Sequence, residues 1–128
     1  MNKVTLAAKN LNNSLVFYRA LFNRMPDELG GSAFKYRLND LEVEISEGEK
    51  LPPQVEALSY PISDIETLTL LNVSMSRFRS LARLKNDCQL ISDAFGITDP
   101  DGNNWIVGNP KTKVHFEKCY ITNQLNQY

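Results

Sequence analysis

The chain has 128 residues, and its 14 basic and 15 acidic side chains leave a formal net charge of -1. That balance excludes the basic footprint of a general nucleic-acid binder. A 42% hydrophobic fraction with 9% aromatics excludes a disordered polymer and is enough to fill the core of a single domain.

The opening stretch, Met1 to Lys9, has an apolar run shorter than a signal-peptide core and far shorter than the ~20 residues that cross a bilayer. A soluble cytoplasmic protein is expected, with no membrane and no nucleic acid among its partners. Cys88 and Cys119 lie far apart in no C-x-x-C unit, so both read as reduced thiols. His115 is the only histidine, whereas a two-histidine iron site or most catalytic zinc sites need at least two imidazoles.

Lys3 to Ala8 alternates as a strand, with Val4, Leu6 and Ala8 on one face and Lys3, Thr5 and Ala7 on the more polar one. Asn10 to Asn13 offer caps, and Leu11, Leu15, Tyr18 and Phe22 recur at helical steps. The spacing predicts a helix over about residues 12–23, ending before Pro26. A short strand near Arg24 to Glu28 can follow. After Gly30-Gly31, Ser32 to Leu38 alternates with Phe34, Tyr36 and Leu38 opposed to Ala33, Lys35 and Arg37. Asn39-Asp40 turns the chain into Leu41 to Ile45, where Glu42 and Glu44 share the face opposite Leu41, Val43 and Ile45.

Residues 48–54, with Gly48, Pro52 and Pro53, read as a linker between a first module at 1–47 and a second at 55–110. In the second, Val55 to Ile62 is strand-like, Ser63 or Asp64 caps, and Leu68, Leu71, Met75, Phe78 and Ala82 form a helical stripe. Cys88 to Ile91, Phe95 to Thr98 and Asn104 to Gly108 complete a meander, with a turn at Asp99-Pro100-Asp101-Gly102. The order strand, helix, three strands therefore occurs twice. Neither half can hide its sheet alone, so the expected fold is α+β, two βαβββ modules forming a curved mixed sheet around a cleft with helices outside. The extension at 111–128 is either an added strand through Val114 to Ile121 or an arm over a partner subunit.

Two stretches at matching points of the repeat, Asn10 to Phe22 with Phe17-Tyr18, and Phe95 to Trp105 with Asp99-Pro100-Asp101-Gly102, resemble the glyoxalase, bleomycin-resistance and extradiol-dioxygenase superfamily, the vicinal oxygen chelate superfamily. The resemblance implies a homodimer, and, in members that do chemistry, four metal ligands in the cleft: two histidines or glutamines from first strands and two glutamates from later ones. Counted from Phe17-Tyr18, the first ligand falls on Lys3, which as an ammonium has no lone pair to give. The first glutamate falls on Glu44, the second module's first ligand near Ala57, and its glutamate on Ile106. One position of four matches. An ion pair between Lys3 and Glu44 in place of the metal is expected.

The polar strand faces present Lys3, Thr5, Lys35, Arg37, Glu42 and Glu44 as a set able to hold a small polar or anionic ligand; for Lys35 and Arg37 a plain solvated face is the simpler reading. Glu42 and Glu44, two apart on one strand, suit an acid/base pair or, more simply, salt bridges. Trp105 and Tyr60 are either aromatic walls, as the drug-sequestering branch of the family implies, or core. His115 reads as a surface or interface residue, Arg77, Arg79, Arg83 and Lys85 as the wet side of the second helix, and Cys119 as unreactive. The expectation is a metal-free protein binding a small polar or aromatic molecule, with no cofactor. The alternative is a lactoylglutathione-lyase-like or resistance enzyme holding a divalent metal such as zinc, nickel or iron through atypical ligands.

Overall fold

The computed structural model describes residues 2–48, 58–81, 90–91 and 94–109, without the side chains of 79–81 and 90–91. The chain divides into two compact units, Met1–Pro53 and Gln54–Tyr128. Each is an α+β module in the order strand, helix, three strands, so the fold is two βαβββ modules.

In the first unit, β1 (Asn2–Ala8), α1 (Leu11–Phe22), β2 (Glu28–Leu29), β3 (Ala33–Arg37) and β4 (Leu41–Glu47) follow in sequence. The sheet order is β1-β4-β3-β2, with β1 parallel to β4 and the other pairs antiparallel. The helix starts where Asn10 Oδ1 accepts the Asn13 N–H at 3.1 Å, satisfying a donor that the first turn otherwise leaves open. It stops at Asn23, whose φ of 55° is the left-handed conformation that asparagine tolerates better than most residues.

The dry face of α1 carries Ser14, Phe17, Tyr18, Leu21 and Phe22, all buried. The dry face of the sheet carries Leu6, Ala8, Phe34, Tyr36, Val43 and Ile45. Their rings interlock: Tyr18 stacks on Phe22 at 5.6 Å and tilts against Phe34 at 6.2 Å, and Phe22 meets Tyr36 at 4.8 Å between centroids. Such pairs add about 0.5–1.5 kcal/mol each beyond the area they bury. The Phe17-Tyr18 pair is thus core, as its helical position predicts. Tyr36 is fully buried and its hydroxyl donates to the Arg24 carbonyl at 2.9 Å; burial pushes its pKa up to about 12.

In the second unit, β5 (Leu58–Pro61), α2 (Ile65–Ser74), a 3₁₀ segment (Met75–Leu81), β6 (Leu90–Ile91), β7 (Ala94–Thr98) and β8 (Asn104–Gly108) build a sheet ordered β5-β8-β7-β6. Asp64, rather than Ser63, caps α2: its Oδ2 accepts the Thr67 N–H at 3.2 Å and the Thr67 hydroxyl as well. Those bonds, the hydroxyl's first, hold the Asp64 carboxyl below its ordinary pKa.

Leu68 and Met75 of the expected stripe are buried and Leu71 and Phe78 half-buried, but the α-helix does not run through all of them. It tightens to 3₁₀ after Ser74. There the Ser74 hydroxyl donates to the Leu71 carbonyl at 3.2 Å, which also accepts the Met75 backbone N–H, and the Ser76 hydroxyl donates to the Val73 carbonyl at 2.7 Å, local bonds that accompany the tighter turn.

Between β7 and β8, Asp99 Oδ1 accepts the backbone N–H groups of Asp101 and Asn103 at 2.9 and 2.8 Å, and Gly102 takes a φ of 91°. The Asp-Pro-Asp-Gly stretch is therefore a self-satisfied turn. Among the described residues no helix is long and apolar enough to cross a membrane. Ala82, the strand residues expected at 55–57 and 88–89, and the extension at 111–128 lie outside the described residues, as does the linker beyond Gly48.

Candidate functional site

Strand pairing on the polar face of the first sheet creates two transverse rows. Lys3 lies opposite Glu42, and Glu42 opposite Arg37. Thr5 lies opposite Glu44, Glu44 opposite Lys35, and Lys35 opposite Glu28. Paired residues in register point to one side of a sheet, so all seven side chains share the face that α1 leaves uncovered.

The charges alternate along a connected network. Lys3 Nζ is 3.8 Å from Glu42 Oε2, and Arg37 Nε is 3.5 Å from Glu42 Oε1. Arg37 also pairs with Glu28 through Nη2. Lys35 Nζ reaches Glu28 at 3.9 Å and Glu44 at 4.0 Å. Three cations thus meet three carboxylates, and the face is neutral. Its depth is uneven: the Glu42 side chain is 14% exposed, against 75% for Lys3.

These distances correct the expected Lys3–Glu44 pair. The parallel register of β1 on β4 places Lys3 beside Glu42 and gives Thr5 to Glu44; counting positions along each strand fixes which side chains share a face but not which are opposite. Glu44 instead engages Lys35. Glu28 was not among the residues predicted for this face. The signal that finds it is the Gly30-Gly31 break, which closes β2 onto β3 and sets Glu28 opposite Lys35.

A second cluster secures the end of β3. Asp27 accepts the Arg24 guanidinium at 3.0 Å and the Arg37 backbone N–H at 2.6 Å, while Arg24 also donates to the Arg37 carbonyl at 2.8 Å. The Arg24 bond, then the Arg37 N–H, lowers the Asp27 pKa. This arrangement fixes the β3 backbone beneath the Arg37 side chain, which makes it a positioning device for the polar face.

In the second unit, Ile106 is paired with Ser59 on β5 and Gly96 on β7, so its row offers neither carboxylate nor imidazole. Ile106 is 2% exposed and Trp105 fully buried, so of the two readings of Trp105 the structure takes core. Both faces of β7 are likewise buried. Tyr60 is half-buried. Arg77 is exposed, on the 3₁₀ segment that follows α2 rather than on α2 itself, and lies 4.8 Å from the centroid of Phe78. Ala57, Arg83, Lys85, Cys88, His115 and Cys119 lie outside the described residues, as does the side chain of Arg79.

The metal set that the resemblance implies does not fit the donors on these two faces. Lys3 brings a cation where a ligand would stand, and the row of Ile106 brings none. Lys35 Nζ already lies 4.0 Å from Glu44 Oε2, so a divalent ion on that carboxylate would meet a like charge beside it. Among the described residues no group of three or more His, Cys, Asp or Glu side chains could hold a metal ion. What the face can do is offer ammonium and guanidinium donors beside carboxylate acceptors, a pattern suited to a small polar molecule.

The sequence matches no protein-family model and no curated protein. Among solved structures it is similar to a glyoxalase-related enzyme from Fulvimarina pelagi, at 21% identity over 86% of this chain and 88% of that one, with a TM-score of 0.63. It is also similar to a glyoxalase/bleomycin resistance protein from Albidiferax ferrireducens T118, at 16% identity over 84% and 96% of the two chains and a TM-score of 0.62. A lactoylglutathione lyase from Agrobacterium tumefaciens matches at 15% identity over 87% and 93%, with a TM-score of 0.58. With its two βαβββ modules, this chain has the fold of the glyoxalase and bleomycin-resistance proteins it is similar to.

Proposed function

We propose that this chain is a metal-free glyoxalase/bleomycin-resistance-like protein, homodimeric and cytoplasmic, that binds a small polar molecule on the charged face of its first module. The observation that carries the reading is the network itself: each carboxylate on that face, Glu44 included, already has a cation partner within 4.0 Å or less. Lys3 stands at a ligand position and keeps its side chain 75% exposed, so its ammonium has donors left for a carboxylate, phosphate or hydroxyl group. The burial of Trp105 favours a polar ligand over an aromatic one.

A second reading has one observation in its favour. Glu44 occupies a matching ligand position and its side chain is 38% exposed, so a lyase holding zinc, nickel or iron through atypical ligands would be built around it.

A thermal-shift screen of the full chain separates the two. A ligand that binds the folded state raises the melting temperature in proportion to ln(1 + [L]/Kd). Stabilisation by small organic anions, abolished by Lys3→Ala, supports the binder; stabilisation by a divalent ion, abolished by Glu44→Gln, replaces it with the lyase.

A further inference from the structure

Among the described residues, the ion pairs on the polar face of the first module link end to end. Lys3 faces Glu42, Glu42 faces Arg37, Arg37 faces Glu28, Glu28 faces Lys35 and Lys35 faces Glu44. Each interior group has two neighbours of opposite charge, and each terminal group has one. The chain is therefore open, with a cation, Lys3, at one end and a carboxylate, Glu44, at the other. These ends stand 3.8 and 4.0 Å from their single partners. Both separations exceed the ~3.2 Å limit of an N–H···O hydrogen bond, so neither contact occupies the hydrogen-bonding capacity of the ammonium or the carboxylate. The ends are also within reach of solvent, at 75% and 38% side-chain exposure, against 14% for Glu42 and 25% for Lys35. Arg37 and Glu28 are exposed too, but they are hydrogen-bonded to each other.

We infer that these two ends take the two charges of one small zwitterion, an α-amino acid, whose carboxylate accepts from Lys3 and whose ammonium donates to Glu44. Bound so, it closes the open chain into a ring of alternating charge. The span fits. Lys3 leans on Glu42, which is two residues before Glu44 on β4, a step of about 6.4–6.8 Å along a strand. Charge-assisted hydrogen bonds of about 2.8 Å at either end, with about 3 Å between the charged groups of an α-amino acid, bridge that step along a bent path. Thr5, exposed and opposite Glu44, adds a hydroxyl beside both ends. A lone anion on Lys3 would sit against Glu42 and leave Glu44 unmet, and a lone cation on Glu44 would sit against Lys35. A zwitterion meets both ends and adds no net charge to a face whose own charges cancel. The inference rests on the small-molecule binding proposed above for this face and names the class of molecule.

Nuclear magnetic resonance titration of the full chain with L-alanine, propionate and ethylamine at matched ionic strength tests it; the last two are alanine without its ammonium and without its carboxylate. The expected result is saturable shifts of backbone amides on β1 and β4 around Lys3, Thr5 and Glu44, with a Kd for L-alanine about tenfold or more below that of either fragment. Lys3→Ala and Glu44→Gln should each raise the alanine Kd about tenfold, with an unchanged far-UV circular dichroism spectrum, and Arg19→Ala, on the exposed side of α1, should leave it as it is. Propionate binding as tightly as alanine, weakened by Lys3→Ala alone, overturns the zwitterion and keeps a binder of small anions. Alanine binding indifferent to Glu44→Gln overturns it as well, because the second anchor is then missing. Saturable shifts on this face with none of the three overturn the zwitterion, and the broader binder reading is then decided separately by the thermal-shift screen of organic anions.

Discussion

Lys3 Nζ lies 3.8 Å from Glu42 Oε2, and Arg37 Nε lies 3.5 Å from the other oxygen of the same carboxylate. Glu42 thereby ties edge strand β1 to β3 across β4. Because its side chain is only 14% exposed, these bonds are less screened than ordinary surface pairs. Glu42→Ala should lower unfolding stability by about 1–2 kcal/mol, and Glu44→Ala, at 38% exposure and with one cation at 4.0 Å, by about 0.5 kcal/mol or less. Urea denaturation of the two variants provides the comparison, and equal losses would contradict the unequal roles.

Asn23 ends α1 at a φ of 55°. Glycine takes that conformation without a Cβ clash, whereas a β-branched residue does not. Asn23→Gly should be neutral or stabilising by a few tenths of a kcal/mol, and Asn23→Val destabilising by about 1–2 kcal/mol. The pair of melting temperatures should move in opposite directions or differ clearly in size; a valine variant as stable as the glycine one would show that the left-handed residue is not constrained.

Burial raises the Tyr36 pKa from 10.0 to about 12 in the folded protein. The unfolded chain loses this proton first, so the contribution of Tyr36 is complete below pH 10 and is lost as pH rises from 10 towards 12. Ultraviolet titration should show a tyrosine ionising well above pH 10 whose signal is absent in Tyr36→Phe, and the stability of that variant should fall less steeply over the window. A titration in which every tyrosine ionises near 10 would oppose a buried hydroxyl.

Trp105 is the only tryptophan and is fully buried. Its emission should be blue-shifted and poorly quenched by iodide. Strong quenching by iodide would restore Trp105 to the accessible surface.

Much of this architecture can be read from alternation and caps. The faces of β1, β3 and β4, the Asn and Asp caps of the helices and the Asp-Pro-Asp-Gly turn each rest on a local rule, and each stands where that rule puts it. Register is another matter. Lys3 and Glu44 share a face, but the offset between two strands separated by a helix is set by how the whole module packs, so pairing Lys3 with Glu42 becomes visible only in the sheet. A short strand near Arg24 to Glu28 is legible, but two paired residues carry too little pattern to fix its register, so Glu28 opposite Lys35 is seen only in the sheet. The 3₁₀ end of α2 was hidden because Met75 and Phe78 keep nearly the same side inward in either helix type, while the serine hydroxyl bonds that accompany it leave no periodicity.

The central claim concerns what neutralises Glu44. Elemental analysis of gently purified full-length protein, alongside Glu44→Gln, measures it directly. The account expects metal far below one equivalent per chain in both samples and no gain on adding zinc, nickel, iron or manganese. Near one equivalent in the native protein, lost in Glu44→Gln, would contradict it and make Glu44 a ligand.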